Sequence, residues 1–255
     1  MMPAIDPTDI YPAYDKKRQQ SSRLRRMLYR LSPLPLHALH PLIFEARMQL
    51  VRLRSRSVSR AFKEASDLLV NIGPGDQARD GWINVDIFDG AKINCVYDCR
   101  KKLPFPDGSV RGIFSEHVFE HIDYTEEVPH FVAECHRVLK KRGVLRLIVP
   151  DAGRYLRAYC DGDWKALAGI RDLDADHVDP YTGGKYATRM ELINVVFRQG
   201  FEHKFAYDYE TLAHVLQRYG FESVTHQQCG QSAMPELAID QPSRAPESLY
   251  VDAIK

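Results

Sequence analysis

The amino-acid sequence predicts an α/β protein: a mostly parallel seven-stranded sheet with helices on both faces, preceded by a helical arm. Three observations predict it. Short apolar runs recur from residue 67 to residue 151, each closed by glycine, proline or an acid. Other segments carry apolar residues at helical spacing. The two kinds of segment alternate, the pattern of parallel strands joined by crossover connections.

The first run is Leu68-Leu69-Val70-Asn71-Ile72, ended by Gly73-Pro74-Gly75-Asp76. Trp82-Ile83-Asn84-Val85-Asp86 is the second, and Ile93 to Tyr97, followed by Asp98, is the third. The proline-punctuated loop Leu103-Pro104-Phe105-Pro106-Asp107-Gly108 leads into a fourth strand, Val110 to Ser115. Val128 to Lys140 reads as an amphipathic helix with Phe131, Val132, Cys135, Val138 and Leu139 on one face, capped by Arg142-Gly143. Val144 to Val149 is the fifth strand, closed by Pro150-Asp151. Residues 152–206 break the alternation and read as an insertion over the sheet. Tyr209 to Tyr219 is a helix with Leu212, Val215 and Leu216 inward. Phe221 to His226 is a sixth strand, and Ser248 to Ile254 closes the sheet.

A chain of 255 residues, 44% hydrophobic and 27% charged, is long enough to bury a core without staples. The formal net charge of +1 excludes a strongly basic nucleic-acid binder. It hides a division. Residues 1–63 hold 13 Lys/Arg against 4 Asp/Glu, a net of +9, so the remaining 22 Lys/Arg and 30 Asp/Glu give the body −8. The domain reading is therefore a basic helical arm over 1–63 and a catalytic-type domain over 64–255, with the insertion at 152–206. An acidic body would repel phosphates, so nucleic acid is not the expected partner. The arm's arginines would suit an anionic lipid surface, the acidic body of the same chain, or a partner. The five cysteines are odd in number and have no CxxC spacing, which argues against a zinc ribbon or a disulfide scaffold and for reduced thiols in the cytoplasm. The first fifteen residues carry three Asp and no apolar run, so no signal peptide is expected. The most apolar stretch, Leu31 to Val51, is broken by Pro33, Pro35 and Pro41 and cannot span a bilayer.

In an open parallel sheet, ligands bind at the carboxyl ends of the strands. Four such ends carry what a nucleoside ligand needs. Gly73 and Gly75 let a ligand approach the backbone. Asp86 offers a carboxylate to ribose hydroxyls, Asp98 lies within reach of an adenine amine, and Ser115-Glu116-His117 forms the floor. A glycine turn or a terminal acid alone is commonplace; the four in succession are specific. A dinucleotide fingerprint is absent, since Gly73-Pro74-Gly75-Asp76-Gln77-Ala78 lacks its third glycine and no helix fits before Asp86.

Asn71 to Asp76, Gly81 to Asp86, Leu103 to Val110, Ser115 to His121 and Glu134 to Gly143 together resemble class I S-adenosylmethionine-dependent methyltransferases with a Rossmann-like sheet. The nearest subgroup is bacterial enzymes associated with cell-surface polysaccharide synthesis. The resemblance covers residues 67–151 strongly and 207–255 loosely. It implies S-adenosylmethionine as cofactor, held by Asn71, Gly73, Pro74, Gly75, Asp86, Ile87, Asp98, Cys99, Ser115 and Glu116. It also implies O-methylation of a sugar or glycan intermediate, with a small-molecule acceptor or an inactive binding scaffold as alternatives. The chain departs from the family at Pro74, at Arg142, and between Asp76 and Gly81. That last gap is too short for the usual first helix, and residues 21–63 are the obvious donor of a replacement.

His117 is the first candidate for a general base, Glu116 the second, and His203 a further one on the returning chain. The competing reading is that His117 and His121 only cap or pack. No metal is expected. Were one bound, His117, Glu120 and His121 would share one helix face at i, i+3, i+4. In the insertion, Asp174, Asp176, His177 and Asp179 suit either a substrate contact or, more simply, a solvated loop. Tyr155, Tyr159, Trp164, Tyr181 and Tyr186 suit a small local core.

Overall fold

The computed structural model describes residues 36–179, 185–199 and 202–255. The expectations for residues 1–35 and for Tyr181 lie outside these residues. The chain divides into two compact units. One holds residues 45–153 and 202–255; among the described residues the other holds 36–44, 154–179 and 185–199.

The larger unit contains the sheet. Its strands are β1 (Leu68–Ile72), β2 (Ile83–Asp86), β3 (Cys95–Val96), β4 (Val110–Glu116), β5 (Leu139–Pro150), β6 (Ser223–Gln227) and β7 (Ser248–Ile254). Their order is β3-β2-β1-β4-β5-β7-β6. Strands β1 to β5 pair in parallel, while β7 runs antiparallel to both β5 and β6. Strand β1 lies between β2 and β4, so the switch point falls at the carboxyl ends of β1 and β4.

Side chains alternate across the sheet with the period of two that a pleat imposes. Ile113, Leu145, Leu147, Val149, Leu249, Val251 and Ala253 join the main core, together with Phe131, Val132 and Cys135 of α3 (Val128–Val138) and Leu212, Val215 and Leu216 of α7 (Tyr209–Arg218). The intervening Phe114, Val144, Ile148 and Tyr250 form a second cluster with Leu237, Met234 and Ile239. A segment spanning 229–239 therefore covers the second face.

As the short gap from Asp76 to Gly81 implies, no helix forms between β1 and β2. The segment is latched instead by Asn84, whose side chain accepts from Arg79 N at 2.9 Å and donates to Arg79 O at 2.8 Å and Lys92 O at 3.1 Å. Among the described residues, the arm packs on the main core and not on the second cluster. Helices α1 (Leu36–Arg54) and α2 (Val58–Ala61) lead to Val58 and Phe62, which pack on the main core, with Phe62 edge-on to Phe105 at 5.0 Å. Nor do all the arm's arginines face outward: Arg54, Arg56 and Arg60 are exposed, but Arg52 turns in to Asp98.

Boundaries shifted where tertiary pairing prevailed over helical spacing. Helix α3 stops at Val138 because Leu139 already pairs with Val110, and the register slips before Gly112 meets Val144. Arg142 takes a left-handed φ of 64° at that irregularity and donates its N–H to Lys255 O at 2.7 Å.

The smaller unit has its own core of Tyr155, Ala158, Leu167, Tyr186, Leu192, Ile193, Val195 and Val196. It is built from α4 (Ala152–Cys160), α5 (Trp164–Arg171) and α6 (Arg189–Arg198). Helix α6 opens with a capping box between Thr188 and Glu191. The acidic cluster of this unit is structural. Asp179 is buried and accepts from Arg171 Nε at 2.9 Å and Tyr186 OH at 2.8 Å. Asp174 accepts the backbone N–H groups of Asp176 and Val178, and His177 stacks on Trp164 at 3.9 Å.

Candidate active site

The turn after β1 uses glycine for two physical reasons. Gly73 and Gly75 both have positive φ, 68° and 52°. A Cβ on Gly73 would lie 2.2 Å from Val118 Cγ2, whereas a Cβ on Gly75 would meet nothing within 4 Å. Gly73 thus permits close packing, and Gly75 borders open space. Pro74 is buried, and Asn71, 2% exposed, spends its side chain on the turn itself, donating to Gln77 O at 3.3 Å.

Asp86 stands at the end of β2 beside this turn. Its carboxylate accepts the N–H of Phe88 at 2.9 Å and, more loosely, of Gly75 at 3.4 Å. Backbone donors alone leave acceptor capacity on both oxygens. Ile87 is half-buried next to it.

Asp98 is placed differently from the expectation. It is 1% exposed, and both its oxygens are taken by guanidinium groups. Arg52 Nε donates to Oδ2 at 2.9 Å, Arg100 Nε to Oδ1 at 2.9 Å and Arg100 Nη2 to Oδ2 at 3.1 Å. A carboxylate sealed in this way has no lone pair turned to an adenine. Cys99 is likewise buried, and burial pushes its thiol up to about 12.

The end of β4 carries the densest chemistry. The Ser115 hydroxyl is buried without a hydrogen-bond partner. Glu116 accepts from Gln241 N at 3.2 Å and Nε2 at 3.3 Å, and burial raises its carboxyl above the ordinary range. His117 adopts a left-handed φ of 54° that aims its ring between two partners. Nε2 lies 2.9 Å from Ser248 Oγ, and Nδ1 lies 3.4 Å from Glu120 Oε1. Glu120 is 1% exposed. Burial alone would raise its carboxyl; His117, His121 and His203 outweigh that and hold it down to about 2.

Of the residues foreseen, Gly73, Gly75, Asp86, Ser115, Glu116 and His117 stand at neighbouring strand ends in one unit. His203 approaches by a route that spacing alone could not give, with its Nε2 4.0 Å from Glu120 Oε1 and its ring edge-on to His121 at 4.7 Å. Ser248, Arg52 and Arg100 were missed. Their only signal is charge or polarity beside apolar runs far away in sequence.

The sheet order and the reversed β7 give the mostly parallel, Rossmann-like seven-stranded sheet that the sequence predicts. Residues 87–147 match the family model described as a methyltransferase domain. Similar solved structures include a SAM-dependent methyltransferase from Archaeoglobus fulgidus (18% identity, TM-score 0.45, covering 85% of this chain and 100% of that one). Another is a Burkholderia thailandensis 1,6-didemethyltoxoflavin-N1-methyltransferase (12%, 0.41, 100% and 92%). A third is a Haemonchus contortus phosphoethanolamine N-methyltransferase (12%, 0.41, 78% and 52%). No curated protein matches the chain in sequence. Among the described residues, no helix is long and apolar enough to cross a membrane.

Proposed function

We propose that this chain transfers a methyl group from S-adenosylmethionine to a hydroxyl oxygen of a sugar or glycan intermediate. The observation that carries the reading is the Gly73–Gly75 turn, bordering open space, set against the Asp86 carboxylate at the next strand end. These residues fit the cofactor: an approachable backbone for its methionine portion, and a half-buried acid with free lone pairs for its ribose. When bound, S-adenosylmethionine supplies an electrophilic methyl on a positively charged sulfur. The chain's part is to orient the two reactants in line and to accept a proton. Asp98 has no part in the proposal, because its oxygens are already committed to arginine.

His117 is the proposed base. A carboxylate facing Nδ1 favours the tautomer with the proton there, which leaves the lone pair on Nε2. The Ser248 hydroxyl occupies that lone pair at 2.9 Å, and an acceptor hydroxyl would take its place. Tyr124 and Phe205, stacked at 4.0 Å, lie beside Glu120, whose carbonyl accepts the Phe205 N–H; a flat aromatic surface suits the apolar face of a sugar.

Isothermal titration with S-adenosylhomocysteine tests the cofactor claim. Asp86→Ala is expected to weaken binding by about 1–3 kcal/mol, the loss of charge-assisted hydrogen bonds. Unchanged affinity would remove Asp86 from the ribose site, and no binding to the unaltered protein at millimolar ligand would leave a scaffold. His117→Ala should lower turnover by about 10²-fold or more with cofactor affinity retained. Full turnover in that variant would exclude it as base.

A further inference from the structure

Facing His117 accounts for one side of Glu120 but not for the two further histidines gathered at its carboxylate. Glu120 is 1% exposed, yet neither carboxylate oxygen has a hydrogen-bond partner. A buried carboxyl whose oxygens find no hydrogen-bond donor is costly unless something compensates it. What surrounds it is imidazole. The ligand atoms of Glu120, His121 and His203 all lie within 4.8 Å of one another. His121 Nδ1 lies 3.1 Å from Glu202 O; a carbonyl can only accept, so Nδ1 carries the proton and Nε2 keeps its lone pair. That is how an outer hydrogen bond orients a metal-ligating histidine. His117 stands behind the carboxylate at 3.4 Å.

We propose that Glu120, His121 and His203 bind a divalent transition-metal ion, zinc by preference. Two imidazoles and one carboxylate form a three-ligand set that leaves a fourth position open. The donors differ from the triplet His117, Glu120 and His121 that sequence spacing singles out, because His121 shares its neighbourhood with His203, 82 positions further on. The site does not depend on the methyl-transfer reading, and its test does not use activity.

The full chain is stripped with a chelator and titrated with zinc chloride by calorimetry, and in parallel with cobalt(II), read by visible absorption. The expected result is one ion per chain, with a cobalt spectrum of low coordination number that zinc abolishes. Glu120→Gln and His203→Ala should each weaken zinc by more than the roughly 10–100-fold that loss of an outer partner costs. His226→Gln, an exposed histidine on β6, should bind as the unaltered chain does. Absence of uptake at millimolar zinc overturns the proposal on the unaltered protein alone, whatever the folding of the variants. Equal affinity in all four proteins overturns it as well, by locating the zinc on surface histidines.

Discussion

Arg146→Ala is expected to cost about 3–5 kcal/mol, the cost of leaving buried charge uncompensated. Arg146 lies in β5 and is fully buried. Its guanidinium forks onto Asp240, Nε to Oδ1 at 2.7 Å and Nη2 to Oδ2 at 2.6 Å. Nη1 reaches Asp252, its register partner on β7, at 2.9 Å, and Nη2 also donates to Gln228 O at 3.2 Å. The two acids are in turn hydrogen-bonded by Gly230 N and Ala233 N. Alanine would strand both carboxylates in a dry layer, at a cost comparable to much of the stability of an ordinary domain. Urea unfolding monitored by circular dichroism measures this. Arg146→Lys should recover only part of the loss, because a point charge cannot reproduce the fork. A loss below about 1 kcal/mol for the alanine variant would mean that water reaches the network.

Arg100→Ala should be the next most damaging change, at about 3 kcal/mol. Arg100 joins Asp98, Glu45 at 2.6 Å and Glu127 at 2.8 Å, tying α1, the end of β3 and the start of α3 together. Arg52 still pairs with Asp98 at 2.7 Å, so the acid is not left alone, and Arg52→Ala, at a more exposed position, should cost less. Burial pushes the Asp98 carboxyl up, but Arg100 and Arg52 prevail and hold it below its ordinary range. A carboxylate with a depressed native pKa adds stability that is fully present above its unfolded pKa of about 3.9 and is lost as the pH falls through the native value. Removing Arg100 weakens that depression, so the acid-unfolding midpoint should move to higher pH. An unmoved midpoint would assign the network no role in acid stability.

These two arginines also mark where the sequence stops being informative. The apolar runs give β1, β2, β4 and β7 nearly to the residue, and the core of β5 though not its start at Leu139, since period-two burial leaves a direct imprint. The Gly73–Gly75 turn and Asp86 are legible because the signal is local: a turn and an acid at consecutive strand ends. Asp98 reads the same way, yet its carboxylate is occupied by Arg52, 46 residues earlier, and no local pattern encodes that pairing. Arg146 and Asp252 did leave a trace, each a lone charge inside an apolar strand, and their alternation places them on the same face. The covering of that face was not legible. The segment around 229–239 has little regular structure beyond the short turn Pro235–Leu237, and its ions, its backbone contacts and its apolar Met234, Leu237 and Ile239 follow no helical or strand period. His203 and Ser248 likewise reach the site only through the completed topology.

Strand β7 sits inside the sheet, between β5 and β6, although it follows every other strand in sequence. During synthesis, β5 must wait with an open edge until residues 248–254 emerge. Ser248, the partner of His117, and Asp252, the partner of Arg146, both arrive on that strand. The proposed base and the buried charge layer are therefore completed by a single late pairing of high sequence separation, which is slow to form and leaves an unpaired strand exposed meanwhile. Ribosome-bound chains truncated before residue 248 would present a β5 edge open to the nearest passing strand, a window for chaperone capture that the finished protein no longer offers.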